Sequence, residues 1–129
     1  MEINQHPAVM FEILAKDEAA MSEFYAFVFG WSYQTGSAGF NYVKFPVQDR
    51  LLLGGIGQAA DTPGQRPGAN FYLQVPDLGA TLERVVTGGG KPLLEPTGVD
   101  GYRFAMFTDP EGNAIGLIEQ SDRTAMARP

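Results

Sequence analysis

The first place in this sequence where chemistry could be done is a carboxylate set inside an apolar strand. Glu12 stands between Phe11 and Ile13 in Val9-Met10-Phe11-Glu12-Ile13-Leu14. The run alternates, but both of its faces are mostly apolar, so both are covered in the fold. A carboxylate there is desolvated, and unless it is paired its pKa rises. Such a group can act as general acid, general base or ligand anchor. It can equally sit in a structural pair with Lys44, Arg103 or a backbone amide, and the sequence leaves the three roles open. Other chemistries lack their parts. The chain has no cysteine, which removes thiol nucleophiles, disulfides and thiolate metal sites. The sole histidine, His6, precedes the first strand and reads as a solvated surface residue. Gly88-Gly89-Gly90 and Gly54-Gly55-Ile56-Gly57 lack the strand-before, helix-after setting of a phosphate loop.

The elements that must position Glu12 come from an internal repeat. Residues 9–17 lie on residues 69–77 at an offset of 60, each an alternating segment ending in Asp. Gly30 falls on Gly90 at the same offset, and at an offset of 62 residues 39–45 lie on 101–107 and 51–56 on 113–118. Two copies are too few for a solenoid and predict two similar modules. In each, a strand leads to a helix N-capped by Asp17 or Asp77, and three further strands follow. The expected strands are Ala8–Leu14, Trp31–Thr35, Phe40–Phe45 and Leu51–Ile56, then Ala69–Val75, Lys91–Leu94, Arg103–Thr108 and Asn113–Glu119. The first helix carries Met21, Phe24, Tyr25 and Val28 at helical spacing and stops at Gly30. Asp109-Pro110-Glu111-Gly112-Asn113 is a strong turn before the last strand. The expectation is a single domain over residues 1–129: module 1 at about 8–56, a Gly/Pro-rich linker at 57–68, module 2 at about 69–119 and a tail at 120–129. A linker of that length is functional or mobile.

Composition bounds the partners. The net charge of −6 over 129 residues argues against nucleic acid or an anionic membrane. There is no signal-peptide-like opening and no run near the ~18 apolar residues of a membrane span. The expectation is a cytoplasmic protein with no nucleic-acid or membrane partner.

The paired strand–helix–three-strand modules, with Phe24-Tyr25, Val28-Phe29-Gly30-Trp31 and the Asp109–Asn113 turn, resemble the vicinal oxygen chelate superfamily. That group includes glyoxalase I, extradiol dioxygenases and bleomycin resistance proteins, and the resemblance covers about residues 8–120. It implies an α+β fold of two βαβββ modules related by a pseudo-twofold, each a curved sheet with one covering helix, together forming a concave cleft. It also implies four metal-ligand slots, on the first and fourth strands of each module. Here they hold Met10, Gly54, Asn70 and Gly116. Glycine offers no side chain, Asn is a weak neutral ligand, and a thioether suits soft ions, so no cofactor and no metal site are expected.

Period-two geometry supplies the rest of the cleft. With Met10 goes Glu12; with Asn70 go Tyr72 and Gln74. Tyr42 and Arg103 are further candidates, and the parity of residues 102–107 leaves Arg103 and Phe104 competing for the cleft. The two ligand-slot glycines are expected to leave a void with apolar walls, the usual make-up of a small-molecule site. The leading expectation is a metal-free protein that binds a small molecule, similar in principle to bleomycin resistance proteins. The alternative is a glyoxalase-like lyase or isomerase, either metal-free with Glu12 as acid/base or metal-dependent. A homodimer is expected, since superfamily members commonly pair and the aromatics exceed what two short helices can cover.

Overall fold

The structure is a computed structural model, and it describes residues 8–44 and 54–119. In chain order the elements are β1 Ala8–Ala15, α1 Glu18–Phe29, β2 Tyr33–Thr35, β3 Asn41–Val43, β4 Gly54–Gln58, β5 Gly68–Val75, α2 Leu78–Thr87, β6 Lys91–Val99, β7 Tyr102–Thr108 and β8 Ala114–Glu119, with a 3₁₀ turn at Ser37–Gly39. This is the expected βαβββ pair. The connection expected between strands Phe40–Phe45 and Leu51–Ile56 and the 120–129 tail lie outside the described residues.

All eight strands join one mixed sheet in the order β2-β3-β4-β1-β5-β8-β7-β6. Exchanging the modules reads the same order backwards. β1 and β5 meet antiparallel at the centre, and Phe11 lies directly opposite Phe71, its own repeat partner. The pseudo-twofold therefore runs through that pair. Each central strand also pairs in parallel with the last strand of its own module.

The helix ends follow local chemistry. The Asp17 carboxylate accepts from the Ala20 amide at 3.1 Å and the Asp77 carboxylate from the Ala80 amide at 2.9 Å, each satisfying a donor that the first turn leaves free. Gly30 ends α1 at φ 73°, the left-handed conformation that glycine adopts without a Cβ penalty.

The two helices pack differently. Leu78 and Leu82 of α2 are buried against Val75, Ala105 and Leu117, with Leu73 and Phe107 around them. In α1 the buried residue is Ser22, whose hydroxyl donates to Glu18 at 2.7 Å. Of the residues expected to form the α1 core stripe, Tyr25 is half-buried and stacks on Trp31 at 5.0 Å, whereas Met21, Phe24 and Val28 are exposed, as is Phe27 beside them, at 90%. Apolar residues occupy most of α1, so its inward face cannot be read from spacing alone.

β6 is five residues longer than expected, because Pro92 and Pro96 sit on an edge strand, where a missing N–H costs no ladder bond. The ladder shifts register after Pro92 and again after Leu94. β4 extends to Gln58, so the connection between modules is residues 59–67 rather than 57–68. No helix among the described residues is long and apolar enough to cross a membrane.

Candidate functional site

The sheet curls strongly. β3 and β7 are separated in strand order by β4, β1, β5 and β8, and in a flat sheet they would stand roughly 24 Å apart. Instead the Tyr42 and Tyr102 hydroxyls lie 2.9 Å from each other. A second tie crosses the same gap. Asp100, at the tip of the β6–β7 hairpin, accepts from the Tyr42 hydroxyl at 2.7 Å, the Ser37 hydroxyl at 2.7 Å and the Ser37 amide at 3.1 Å. Asp100 and Gly101 both have positive φ, as a tight two-residue hairpin turn requires. These contacts latch the rim of module 1 to the rim of module 2.

Behind the latch lies a cavity of about 200 Å³. Its aromatic wall is Phe40, Tyr42, Tyr72, Tyr102 and Phe104, with Glu12 between β1 and the wall. Phe40–Tyr42, Tyr42–Tyr102, Tyr102–Phe104 and Tyr72–Phe104 are all in ring contact, at centroid distances of 4.7, 6.3, 6.0 and 6.1 Å. Gly64 and Gln65 of the connecting segment also line it. A larger cavity of about 670 Å³ adjoins it, lined by Asn70, Arg66, Asp109 and Asn113 among others, and shares Leu14, Gly64 and Met106 with the first.

The Tyr72 hydroxyl donates to Glu12 Oε2 at 3.0 Å. Glu12 Oε1 is buried and has no hydrogen-bond partner among the described residues. Burial pushes the Glu12 carboxyl up to about 7, against the Tyr72 hydrogen bond, which pulls it down. The neighbouring phenols respond. Burial, with the Glu12 charge and hydrogen bond, raises Tyr72 well above the usual range. Burial, Tyr102 and Asp100 do the same to Tyr42, and burial raises Tyr102 to about 12. Burial would raise Asp100 too, but the hydrogen bonds from Ser37 and Tyr42 win and hold its carboxyl below the usual range.

The structure sorts the candidates read from the sequence. Glu12, Tyr42 and Tyr72 come together in the smaller cavity. Asn70 lines the larger one, its side-chain oxygen accepting from the Phe71 amide at 2.7 Å. Met10 is 5% exposed and packs against Tyr72, Tyr102 and Ile118, beneath the site rather than in it. Gln74 stands opposite Ile118, lining neither cavity. Arg103 faces the other side of the sheet, 3.2 Å from Glu119, which also accepts from the first amide of α2. Phe104 takes the cleft position. Asp100, Tyr102 and Phe40 were missed. The Asp100-Gly101 dipeptide, a strong hairpin signal, could have placed the first two at a hairpin tip.

The ligand slots need one correction. Tyr72 pairs with Gly116, and its repeat partner Glu12 pairs with Gly55. Gly55, not Gly54, is the counterpart of Gly116. A Cβ on Gly54 would meet the ring of Phe11, which contacts Trp31 at the end of α1. The glycines also do not leave the expected void. A Cβ on Gly116 would lie closer than 3.0 Å to the Tyr72 ring, and one on Gly55 or Gly57 equally close to Phe40. Rings fill the space that the absent side chains vacate, a recurrent way of stabilising glycine in strands. The donor set therefore does not fit a divalent metal: Met10, Gly55, Asn70 and Gly116 supply a thioether and one neutral amide. Among the described residues no three His, Cys, Asp or Glu side chains converge to hold a metal ion.

Comparison with known proteins agrees with the fold. The family described as "Glyoxalase-like domain" matches residues 8–118. The chain is 31% identical over 118 residues to CFP32 of Mycobacterium tuberculosis, covering 82% of this chain and 42% of that one. It is 30% identical over 138 residues to the anthracycline biosynthesis protein DnrV of Streptomyces peucetius, covering 90% of this chain and 50% of that one. It thus spans half or less of the length of these two relatives. Among solved structures, methylmalonyl-CoA epimerase from Mycobacterium tuberculosis is similar in fold, with a TM-score of 0.66 at 18% identity, covering 97% of this chain and 96% of that one.

Proposed function

The chain belongs to the glyoxalase-like domain family, and on that premise we propose that it is a metal-independent protein holding a small molecule in the curled face of its sheet. The observation that carries this reading is the cavity in which five aromatic rings surround Glu12. Largely aromatic walls with a few polar groups, here Glu12, Gln58, Gln65 and the tyrosine hydroxyls, are the usual make-up of such sites. A metal-dependent isomerase is disfavoured by the chemistry of the donor set, since glycines stand where side-chain ligands would be needed. Purified protein is expected to carry no stoichiometric Zn, Ni, Fe or Mn, and chelators are expected to leave its melting temperature unchanged. Elemental analysis finding one tightly held metal per chain, released by chelator with loss of stability, would overturn the reading.

A second reading is favoured by the position of the Glu12 pKa near 7, which suits a general acid or base at neutral pH. Here the cleft protein is a lyase or isomerase without a metal, Glu12 moving the proton on a small carbonyl substrate. Turnover that is lost in Glu12→Gln while binding persists would select it over simple binding.

The exposed apolar side of α1 supports the proposal of a homodimer. Phe24, Phe27 and Phe29 are 50%, 90% and 62% exposed, a patch of the kind that marks an interface. A second copy of the chain is the proposed occupant. Sedimentation should give a dimer that Phe27→Glu dissociates; a wild-type monomer at high concentration would refute it.

A further inference from the structure

Resting on the reading of the cleft as a small-molecule site, we propose that its ligand is an organic cation: a compact, ring-bearing amine or ammonium whose positive end lies against Glu12 within the aromatic wall.

Charge is the first support. The cavity is lined by one carboxylate and by no Lys, Arg or His among the described residues. A second carboxylate, Asp100, stands at the rim on the Tyr42 hydroxyl. Nothing in the lining neutralises Glu12, in a chain of net charge −6. An anionic ligand would meet two carboxylates and no counter-charge, and like-charge juxtaposition of that kind rejects a partner strongly.

The wall is the second support. Phe40, Tyr42, Tyr102, Phe104 and Tyr72 form an unbroken succession of ring contacts around the cavity. Aromatic faces attract a cation through the ring quadrupole, the more strongly where water is excluded. The third support is the unsatisfied acceptor. Glu12 Oε1 is buried without a donor, and such an atom costs free energy until a donor reaches it. An ammonium N–H supplies the hydrogen bond and the charge together. The cavity of about 200 Å³ has room for roughly seven non-hydrogen atoms, taking a water's share of about 30 Å³ as a guide. A larger molecule would place its charged end here and its body past Gly64 in the adjoining 670 Å³ cavity.

The titratable groups facing Glu12 are Tyr72 from β5, Tyr102 from β7 and Tyr42 from β3, with Asp100 beyond them; β4, Gly54–Gln58, carries no titratable side chain. The phenols are raised above their usual range, and Asp100 is lowered. Glu12 is therefore the group that changes charge near neutrality, and a cation binds only its ionised form. With a carboxyl at about 7, the ionised fraction grows about tenfold between pH 6 and 8, and so does the affinity.

The experiment is calorimetry, with NMR to locate binding, using benzylammonium, benzyl alcohol and benzoate on wild type and on Glu12→Gln, near pH 6 and pH 8. Benzylammonium is expected to bind in the cleft about tenfold more tightly at the higher pH. Benzyl alcohol should bind weakly and without pH dependence, and benzoate not at all. Glu12→Gln should weaken benzylammonium at least tenfold near pH 8 and abolish its pH dependence, with the circular dichroism of the folded protein retained. Preferential cleft binding of benzoate or benzyl alcohol would overturn the cation proposal and leave the small-molecule reading standing. Cation binding indifferent to pH and to Glu12 would also overturn it. No perturbation of cleft residues by any of the three would overturn both.

Discussion

Glu12→Gln is expected to stabilise the folded protein near pH 8 and to bring no gain near pH 5. The sign follows from the direction of the shift. The unfolded chain releases the Glu12 proton around 4.5, whereas the folded chain holds it to about 7. Between those values the native state binds more protons than the unfolded state, so wild-type stability falls as pH rises. The contribution is fully present below about 4.5 and is lost as pH rises through about 7. At about 1.4 kcal/mol per pH unit the interval is worth on the order of 3 kcal/mol. Gln keeps an oxygen for the Tyr72 hydroxyl but brings an amide group without a partner, a cost of about 1 kcal/mol. Urea melts at the two pH values should therefore show the variant about 2 kcal/mol more stable near pH 8 and slightly less stable near pH 5. Equal differences at both would mean that the Glu12 carboxyl titrates normally in the fold.

Gly55→Ala should destabilise the sheet strongly. The added carbon would lie closer than 3.0 Å to both the Asn41 backbone carbonyl and the Phe40 ring. The backbone cannot yield without breaking the β3–β4 ladder, and overpacking of this kind costs about 3 kcal/mol. In Gly116→Ala the three atoms nearest the new carbon all belong to the Tyr72 ring. It should cost less, about 1–2 kcal/mol, but tilt that ring and break its bond to Glu12. The signature is a pH dependence of stability altered alongside the loss. Gly79→Ala on α2 is the contrast. Its Cβ would meet nothing closer than 3.5 Å, so helix propensity should make it stabilising by up to about 1 kcal/mol. Thermal melts that rank the three equally would show that the rings are not seated on the glycines.

The repeat made the frame readable from the residues alone. The offset of 60 correctly matched the two central strands, down to Phe11 facing Phe71, because both copies keep an alternating strand followed by a capping Asp. The caps and the Asp109 turn rest on side-chain-to-backbone bonds between near neighbours, so local sequence suffices. The errors about which side chains line the cleft are mostly of long range. Arg103 and Phe104 alternate on a strand whose two faces are both covered, and only the partner across the sheet decides between them. Met10 shares the cleft face but is roofed by Tyr72 and Tyr102 from other strands. The expected void over the glycines failed for a related reason. The rings that fill it come from β1, β5 and the segment before β3, and no spacing within one strand announces them. Glu12 was legible because its anomaly, a charge in an apolar run, is local.

The axis through Phe11 and Phe71 has one further consequence. It maps Glu12 onto Tyr72, so the two halves of the cradle are related in backbone but opposite in chemistry, an acid on one side and a phenol on the other. A cradle with identical halves would accept an occupant equally well in either of two poses. Here one pose sets a donor on the carboxylate and the other wastes it on the phenol. For the cation proposed above, the first pose is therefore the preferred one. The choice between the two poses is thus a property of how far the two copies have diverged at a single matched position, and not of the fold that they share.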